Sequence, residues 1–419
     1  MSAVLDTDDH NQTFFLARQP IVNREQALVA YELLFRRAAQ DTVCHSNNRE
    51  ATASVIAHAI EIGLSKVVGS SQAYLNIDQR SIMADFISLL PANQVVLEIL
   101  ETVRITPELV QRMSHLLGAG FTFALDDVVA LTPDVRRLLP MASIIKVEFA
   151  NVAKGELALL VGELKQQGKK LVAEKVETHE QFQACYDLGF DYFQGYYFAR
   201  PRLLSGTRLQ PFQVTIVNLL RQLIEDADDV DIVDSIKQDV SLSLTLLRMA
   251  NTPVFGLATR VDSLRQALSL LGRRELQRWL QILLYAGAGR VSSRTSPLLA
   301  LATTRGRLLE LMAEKLWPET TKSADIAFTV GIMSSLDALL DSPMEDILKQ
   351  IVVSDEVEAA LLQHQGRYGD MLTLIEHCEQ DDCSKVLPIL QELGLAVDDL
   401  RQMQQKAYEW SNAVLSMTL

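Results

Sequence analysis

The chain has 419 residues, of which 48% are hydrophobic and 22% charged, and its formal net charge is −14. This composition is typical of folded globular domains and excludes a mainly disordered protein. The acidic balance excludes a whole-molecule field that attracts nucleic acid or anionic membranes. A phosphate-bearing ligand would therefore need local arginine, lysine or metal ions.

The chain shows no sign of export or membrane insertion. Its first twenty residues are acidic and lack the apolar run of a signal peptide. No stretch approaches the roughly 18–20 uninterrupted apolar residues that cross a membrane. The four cysteines include one close pair, Cys378 and Cys383, which is too few for a zinc site and indicates reduced thiols. These features predict a cytoplasmic protein without a membrane partner.

After an N-terminal tail, 1–13, the segment 14–202 alternates short apolar runs with stretches of helical spacing. Strands are predicted at 14–22, 28–35, 73–77, 94–100, 121–127, 143–149, 170–176 and 191–199. Such alternation is typical of parallel strands joined by crossover helices. Eight strands predict an α/β TIM-like (β/α)8 barrel with an irregular opening hairpin. An open doubly wound sheet is the alternative, although no G-x-G-x-x-G follows the first strand.

Polar side chains recur at the carboxyl ends of the predicted strands. They are Glu32, Asn76, Glu98, Asp126, Asp127, Lys146, Glu148, Glu174 and Gln194. In a parallel barrel these ends meet on one face, where active sites form. Converging carboxylates repel one another unless a cation lies among them, and oxygen ligands favour hard ions such as Mg²⁺ or Mn²⁺. The pattern therefore predicts a divalent-cation site suited to phosphoryl chemistry.

A series of motifs in this half resembles a known family. The segments are 18-RQPIV-22, 31-YELLFR-36, 74-YLNI-77, 97-LEILE-101, 125-LDD-127, 146-KVE-148, 173-AEKVET-178 and 194-QGYYFARP-201. In order and spacing they resemble the EAL domain, a barrel that binds cyclic di-GMP and, when active, hydrolyses it to linear pGpG.

The resemblance implies a role for each matching residue. The metal ligands would be Glu32, Asn76, Glu98, Asp126, Asp127 and Glu148. The catalytic residues would be Glu174, as general base, and Lys146, beside the attacking water. Contacts with the nucleotide and its metal-bound water would come from Gln19, Arg36 and Gln194. Glu101 would anchor the loop that follows Asp127.

Three positions depart from the EAL pattern. The segment 128-VVAL-131 replaces F-G-T-G, Glu148 replaces an aspartate, and Lys175 replaces a glycine. Valine and leucine resist turns that glycine permits, and an oxygen misplaced by about an ångström can cost roughly 100-fold in rate. We therefore expect at least one cation site and a degenerate barrel without useful turnover. It would act as a nucleotide- or metal-binding module or as a protein-interaction module. An active cyclic di-GMP phosphodiesterase and a scaffold that binds no nucleotide are the alternatives.

The segment 203–419 changes to helical spacing, which predicts an all-α helical bundle with its own apolar core. Within it, 246–280 resembles the HDOD domain, so the whole chain resembles EAL–HDOD proteins of the YuxH-like family. Where related HD enzymes keep a His-Asp metal pair, this chain offers only Asp337, and we expect no catalysis there. A protein partner is expected instead. A local basic patch is either a set of solvated helix faces or an interaction site centred on Arg273 and Arg274; its members are Arg260, Arg265, Arg273, Arg274 and Arg278. A homodimer stays open.

Overall fold

A closed eight-stranded barrel followed by a helical region confirms the predicted fold class. The computed structural model describes residues 14–37, 63–153, 155–195, 211–251, 261, 263–286, 297–340, 342–349, 351, 353–379 and 385–417. The first strand begins at Phe14, and the first helix of the helical region begins at Pro211. The predicted boundary at 202/203 lies outside the described residues and stays a prediction.

The barrel follows the chain order of its strands. They are β1 Phe14–Asn23, β2 Leu28–Arg37, β3 Gln72–Ile77, β4 Val95–Ile99, β5 Thr122–Leu125, β6 Ile144–Val147, β7 Lys170–Ala173 and β8 Tyr192–Gln194. Strand β1 is antiparallel to both its neighbours, β2 and β8, and the other neighbouring pairs are parallel. The turn between β1 and β2 forms around Asn23, whose Oδ1 accepts hydrogen bonds from the N–H groups of Glu25 and Ala27. The predicted opening hairpin is therefore present.

Among the described residues of this half, five helices follow strands. They are α1 Leu64–Val68, α2 Pro107–Gly118, α3 Pro133–Leu138, α4 Leu157–Gln166 and α5 His179–Leu188. Thr106 caps α2 by accepting from Leu109 N–H, and Thr178 forms a capping box with Gln181 at the start of α5. These caps fix the points at which α2 and α5 begin.

The lumen of the barrel contains an apolar layer directly beneath a polar one. The buried apolar layer consists of Ile21, Ala30, Tyr74, Val96, Ala124, Ile144 and Val172. Side chains alternate across a strand, so a residue two positions further on lies on the same face. Two positions beyond the apolar layer on the parallel strands come Glu32, Asn76, Glu98, Asp126, Lys146 and Glu174. Because β1 runs the opposite way, its polar residue, Gln19, comes two positions before Ile21.

Twelve helices are described after the barrel. They are α6 Pro211–Ile224, α7 Asp229–Lys237, α8 Val240–Ala250, α9 Leu264–Ala286, α10 Pro297–Leu316, α11 Thr321–Met333, α12 Leu336–Leu340, α13 Met344–Leu348, α14 Asp355–Gln363, α15 Gly366–Glu379, α16 Val386–Leu393 and α17 Val397–Met417. Gly272, with φ of 77°, divides α9 into two helical segments. A large apolar core joins these helices. No helix in the described ranges is both long and apolar enough to span a bilayer.

The C-terminal helix α17 also packs against the barrel. Tyr408 of α17 belongs to the apolar core between the strands and helices of the barrel. The guanidinium of Arg18, on β1, lies 4.4 Å from the Tyr31 ring centroid and 4.1 Å from the Tyr408 ring centroid. It also donates to Thr304 Oγ1 of α10 at 3.0 Å. The predicted core of the helical region is therefore confirmed, and α17 also contributes Tyr408 to the barrel core.

Replacing Tyr408 by alanine is expected to lower the free energy of unfolding by about 3 kcal/mol, because it removes a buried aromatic ring. Urea unfolding, followed by circular dichroism, measures the change. Tyr408→Phe is the matched control, because it keeps the ring and loses only the hydrogen bond from the hydroxyl to Leu16 O at 3.3 Å. Equal losses in the two variants would show that the ring contributes nothing at this interface.

Candidate active site

The ammonium group of Lys146 lies at the centre of the polar layer. Four carboxylate oxygens surround its Nζ: Glu32 Oε2 at 3.1 Å, Glu98 Oε1 at 2.9 Å, Asp126 Oδ1 at 3.0 Å and Glu174 Oε1 at 2.9 Å. Lys146 and Glu98 are fully buried, so water does not screen these contacts. A lysine ammonium has three donors. One ammonium therefore supplies too few hydrogen bonds and too little positive charge for four carboxylates.

Burial and electrostatic interactions within the cluster shift the pKa values of its lysine and its carboxyl groups. Burial opposes the charge of Lys146, but Glu32 and the other carboxylates outweigh it and hold the lysine pKa well above its ordinary value. Burial and the negative charge of Glu32 hold the pKa of Glu98 well above its ordinary range. Burial also raises the pKa of Glu174 to about 8. The cluster accordingly takes up protons in the absence of a further cation.

Two amide side chains orient Glu32 toward the centre of the site. Asn76 Nδ2 donates to Glu32 Oε1 at 2.8 Å, and Gln194 Nε2 donates to Glu32 Oε2 at 2.6 Å. Gln194 Nε2 also donates to Gln19 Oε1 at 2.7 Å. The structure thus brings Gln19 and Gln194 into contact beside the carboxylates.

The glycine after Gln194 allows two strand ends to approach closely. A Cβ on Gly195 would lie 2.3 Å from the Val176 backbone nitrogen and oxygen. Val176, two residues after Glu174, donates its N–H to Gln194 O at 3.0 Å. A larger residue at 195 would therefore separate the strand ends that carry Glu174 and Gln194.

The oxygens of the polar layer fit a hard divalent cation. Several buried oxygens have no hydrogen-bond partner among the described residues, including Asn76 Oδ1, Glu98 Oε2 and Glu174 Oε2. An unsatisfied buried oxygen costs about 1–3 kcal/mol, so a cation among them would be stabilising. Carboxylate and amide oxygens are the donors that Mg²⁺ and Mn²⁺ prefer.

A second acidic group lies beside the first. Carboxylate oxygens of Glu101, Asp126 and Asp127 lie within 4.8 Å of one another. Asp127 adopts a left-handed backbone with φ of 48°. Burial and the charge of Asp126 raise the pKa of Asp127 to about 6. This group offers oxygen donors for a second cation, with the predicted anchor Glu101 at its exposed edge.

Two of the departures from the EAL pattern contact each other. Lys175 Nζ lies 2.6 Å from Glu148 Oε2, and Lys175 has a left-handed φ of 53°, a conformation that glycine adopts most readily. The Lys175 charge also lowers the pKa of Asp127, against the effect of burial there. Sequence reasoning noted each substitution but missed the pairing. The signal was an added cation and a lengthened acid at the ends of neighbouring strands.

The loop after Asp127 folds back onto the barrel without the glycines of the family pattern. Val128 is buried, and its N–H donates to Lys146 O at 3.0 Å. Val129, by contrast, is 40% exposed. The loop therefore contacts the Lys146 backbone and leaves an apolar side chain in solvent.

The remaining predicted residues lie away from the cluster or outside the described atoms. The side chain of Arg36, a predicted nucleotide contact, is outside the described residues. Asp337 is exposed on α12. Arg273 makes ion pairs with Asp226 and Asp229, both at 2.6 Å.

Arg274 pairs with Asp325 on α11 and lies 3.8 Å from Glu310 Oε1. Arg273 and Arg274 are thus both engaged by acids of their own chain. Binding of a protein partner there stays a prediction.

The halves of the chain match two domain families in order. The EAL domain model matches residues 3–201, and the HDOD domain model matches residues 210–365. The uncharacterized protein YuxH of Bacillus subtilis is 30% identical over 414 residues, which cover 96% of this chain and 98% of YuxH. The chain belongs to the EAL–HDOD family. The cyclic di-GMP phosphodiesterase CdgJ of Vibrio cholerae is also 30% identical, over 413 residues that cover 97% of this EAL–HDOD chain and 94% of CdgJ.

Solved EAL structures resemble the barrel half of this EAL–HDOD protein more distantly. The Bacillus subtilis YkuI protein, solved with cyclic di-GMP and calcium, is 18% identical with a TM-score of 0.39. The match covers 55% of this chain and 72% of the YkuI chain.

Proposed function

We propose that this EAL–HDOD protein binds cyclic di-GMP at a barrel site with one divalent cation and turns it over slowly or not at all. The helical region then acts as the output and contacts a protein partner. Similarity to CdgJ over nearly the full length supports cyclic di-GMP as the ligand. The chemistry of the buried oxygens supports the cation.

Different residues of the polar layer would contact the cation, the phosphate and the nucleotide. Glu32, Asn76, Glu98 and Asp126 would hold the cation, which would polarise a phosphate oxygen when bound. The Lys146 ammonium, already among the carboxylates, would donate to a phosphate oxygen or to a water. Without a cation, the pKa of Glu174 is raised to about 8, so this residue holds a proton over much of the neutral range and is limited as a base. A bound cation would lower that pKa. Gln19 and Gln194 would meet the nucleotide at the rim.

The contact between Lys175 and Glu148 carries the proposal of slow turnover. A two-cation hydrolase clamps the attacking and leaving oxygens between its ions. Here a lysine ammonium lies 2.6 Å from Glu148 and acts on Asp127, two of the predicted metal ligands. Asp127 also belongs to the second acidic group. A positive charge beside these ligands disfavours a second divalent cation by direct repulsion.

A working phosphodiesterase is the second candidate. The group formed by Glu101, Asp126 and Asp127 favours it, because it offers three carboxylates for a second ion. The relative CdgJ is a cyclic di-GMP phosphodiesterase, which favours this candidate as well. Lys175 is 61% exposed at its side chain, so it can swing away from Glu148 at little cost.

Restoring the family residues should separate the two candidates. The double variant Lys175→Gly and Glu148→Asp is expected to raise pGpG release at least about 10-fold, because it removes the competing ammonium and shortens the acid. Cyclic di-GMP affinity should change less than about threefold. Calorimetry with Mn²⁺, followed by chromatographic product analysis, measures both quantities.

Glu163→Asp is the control, because it shortens an exposed acid that pairs with Arg136 on the outer helices. Wild-type turnover of a few per second, within the common enzyme range of about 1–10³ s⁻¹, would overturn slow turnover and favour the second candidate. Absence of cyclic di-GMP binding by the wild type would overturn both and favour a scaffold.

A further inference from the structure

The helical region contains a cavity that the barrel site does not involve. Its volume is about 220 Å³, and it lies between α6, α9, α11, α12 and α14. Buried apolar side chains dominate its lining and include Leu284, Tyr285, Ile332, Met333 and Leu336. A cavity of this size and lining in a domain core costs packing energy unless something fills it.

One buried polar side chain in the lining lacks a full set of partners. Gln281 is 4% exposed, and its Nε2 donates to Thr329 Oγ1 at 3.3 Å. The Thr329 hydroxyl itself donates to Asp325 O at 3.0 Å. Gln281 Oε1 has no hydrogen-bond partner within the described part of the chain. Turning the amide over would exchange its ends and still leave one of them unsatisfied.

The charged groups near the cavity are oriented elsewhere or lie at its mouth. Asp325 pairs with Arg274, so its carboxylate is compensated inside the chain. Lys322 and Ser354 are exposed, and Ile224 is 40% exposed, which places the opening near these three residues. Among the described residues that line the interior, Gln281 Oε1 is thus an acceptor with neither a hydrogen bond nor an ion pair, and it lies in a mainly apolar surface.

These features define the chemistry of an occupant. An apolar cavity of about 150 Å³ holds benzene, so about 220 Å³ accommodates one or two small rings. A charged occupant would lose its hydration and find no free counter-charge among the apolar lining residues, so a neutral occupant is favoured. An N–H or O–H on the occupant would satisfy the free oxygen of Gln281.

We propose that this cavity binds a small neutral molecule with an aromatic or branched aliphatic body and one N–H or O–H group that donates to Gln281 Oε1. The ligand has about 7–14 non-hydrogen atoms, as the cavity volume requires. The HDOD region thus receives a chemical signal of its own, independent of the nucleotide site.

Paired probes that differ in the donor alone test this inference on the full chain. Indole and phenol carry the donor, whereas benzofuran and fluorobenzene have similar shapes without it. Ligand-detected NMR titration is expected to show indole and phenol binding at least about 10-fold more tightly than their partners. Gln281→Leu, which keeps the size of the side chain and removes the acceptor, should bring both ratios close to one.

Two further variants keep the test informative if Gln281→Leu does not fold. Gln281→Met tests the same loss with a more flexible side chain, and Val357→Phe should block all four probes by filling the cavity. Thermal melts identify folded variants. Failure of both donor probes to bind the wild type would overturn the inference. Equal binding of donor and donor-free probes, or an unchanged preference in a folded Gln281 variant, would overturn it as well.

Discussion

Replacing Lys146 by methionine is expected to lower the free energy of unfolding by about 4 kcal/mol at pH 8 in the presence of EDTA. The change keeps a long side chain but removes the ammonium that contacts four buried or half-buried carboxylates. Breaking a buried ion pair from one side typically costs about 3–5 kcal/mol, because the remaining charge is left uncompensated. Urea unfolding measures the difference from the wild type.

The size of this loss should depend on pH and on divalent cations. The pairing stabilises the fold while the carboxylates are ionised and fades as they take up protons. The loss should therefore be smaller at pH 5.5 than at pH 8, since the pKa of Glu174 is raised to about 8 and that of Glu98 is also raised. At pH 8, millimolar Mn²⁺ should restore part of the stability, because it supplies positive charge to the same oxygens.

Lys170→Met is the matched control for Lys146→Met. Lys170 is 58% exposed at its side chain and pairs with Asp191 at 3.2 Å, so its loss should cost less than about 1 kcal/mol. A similar loss in both variants would contradict a special role for the buried ammonium. A loss at pH 8 that Mn²⁺ leaves unchanged would contradict a shared cation position.

Replacing Glu98 by glutamine is expected to weaken Mn²⁺ binding at least about 100-fold while leaving the cation-free protein as stable as the wild type, or more so. Even changes outside the ligand shell cost about 10–100-fold in metal affinity. Burial and Glu32 favour the protonated form of Glu98, and glutamine has nearly the shape of that form. The cation-free fold therefore loses repulsion, whereas the cation loses a charged ligand.

Calorimetric Mn²⁺ titration and thermal melts with and without Mn²⁺ measure the two effects. Glu163→Gln makes the same chemical change at an exposed acid of α4. It should leave both the Mn²⁺ affinity and the cation-free stability nearly unchanged. Wild-type protein without a Mn²⁺-dependent shift in melting temperature would contradict a cation site in the barrel. A large loss of cation-free stability in Glu98→Gln would show that the charged form of Glu98 is needed in the fold.

Local patterns in the sequence determined the barrel and most members of its polar cluster. Short β-branched runs separated by helical spacing predicted eight strands, and each lies within a few residues of its predicted position. The polar residues at the strand ends follow the apolar lumen layer by two positions, as in Val96 and Glu98 or Val172 and Glu174. This two-residue period is local, so it can be recognised without knowledge of the tertiary structure.

Contacts between distant segments were decided by the tertiary structure alone. The sequence did not indicate that Lys146 contacts four carboxylates at once, or that Lys175 pairs with Glu148. Nor did it indicate that Arg18 lies over the Tyr408 ring, 390 residues away in the chain. Amphipathic periodicity shows which face of a helix or strand is buried but not which surface covers it. That choice depends on the packing of the whole chain, where long side chains reach partners that no local spacing encodes.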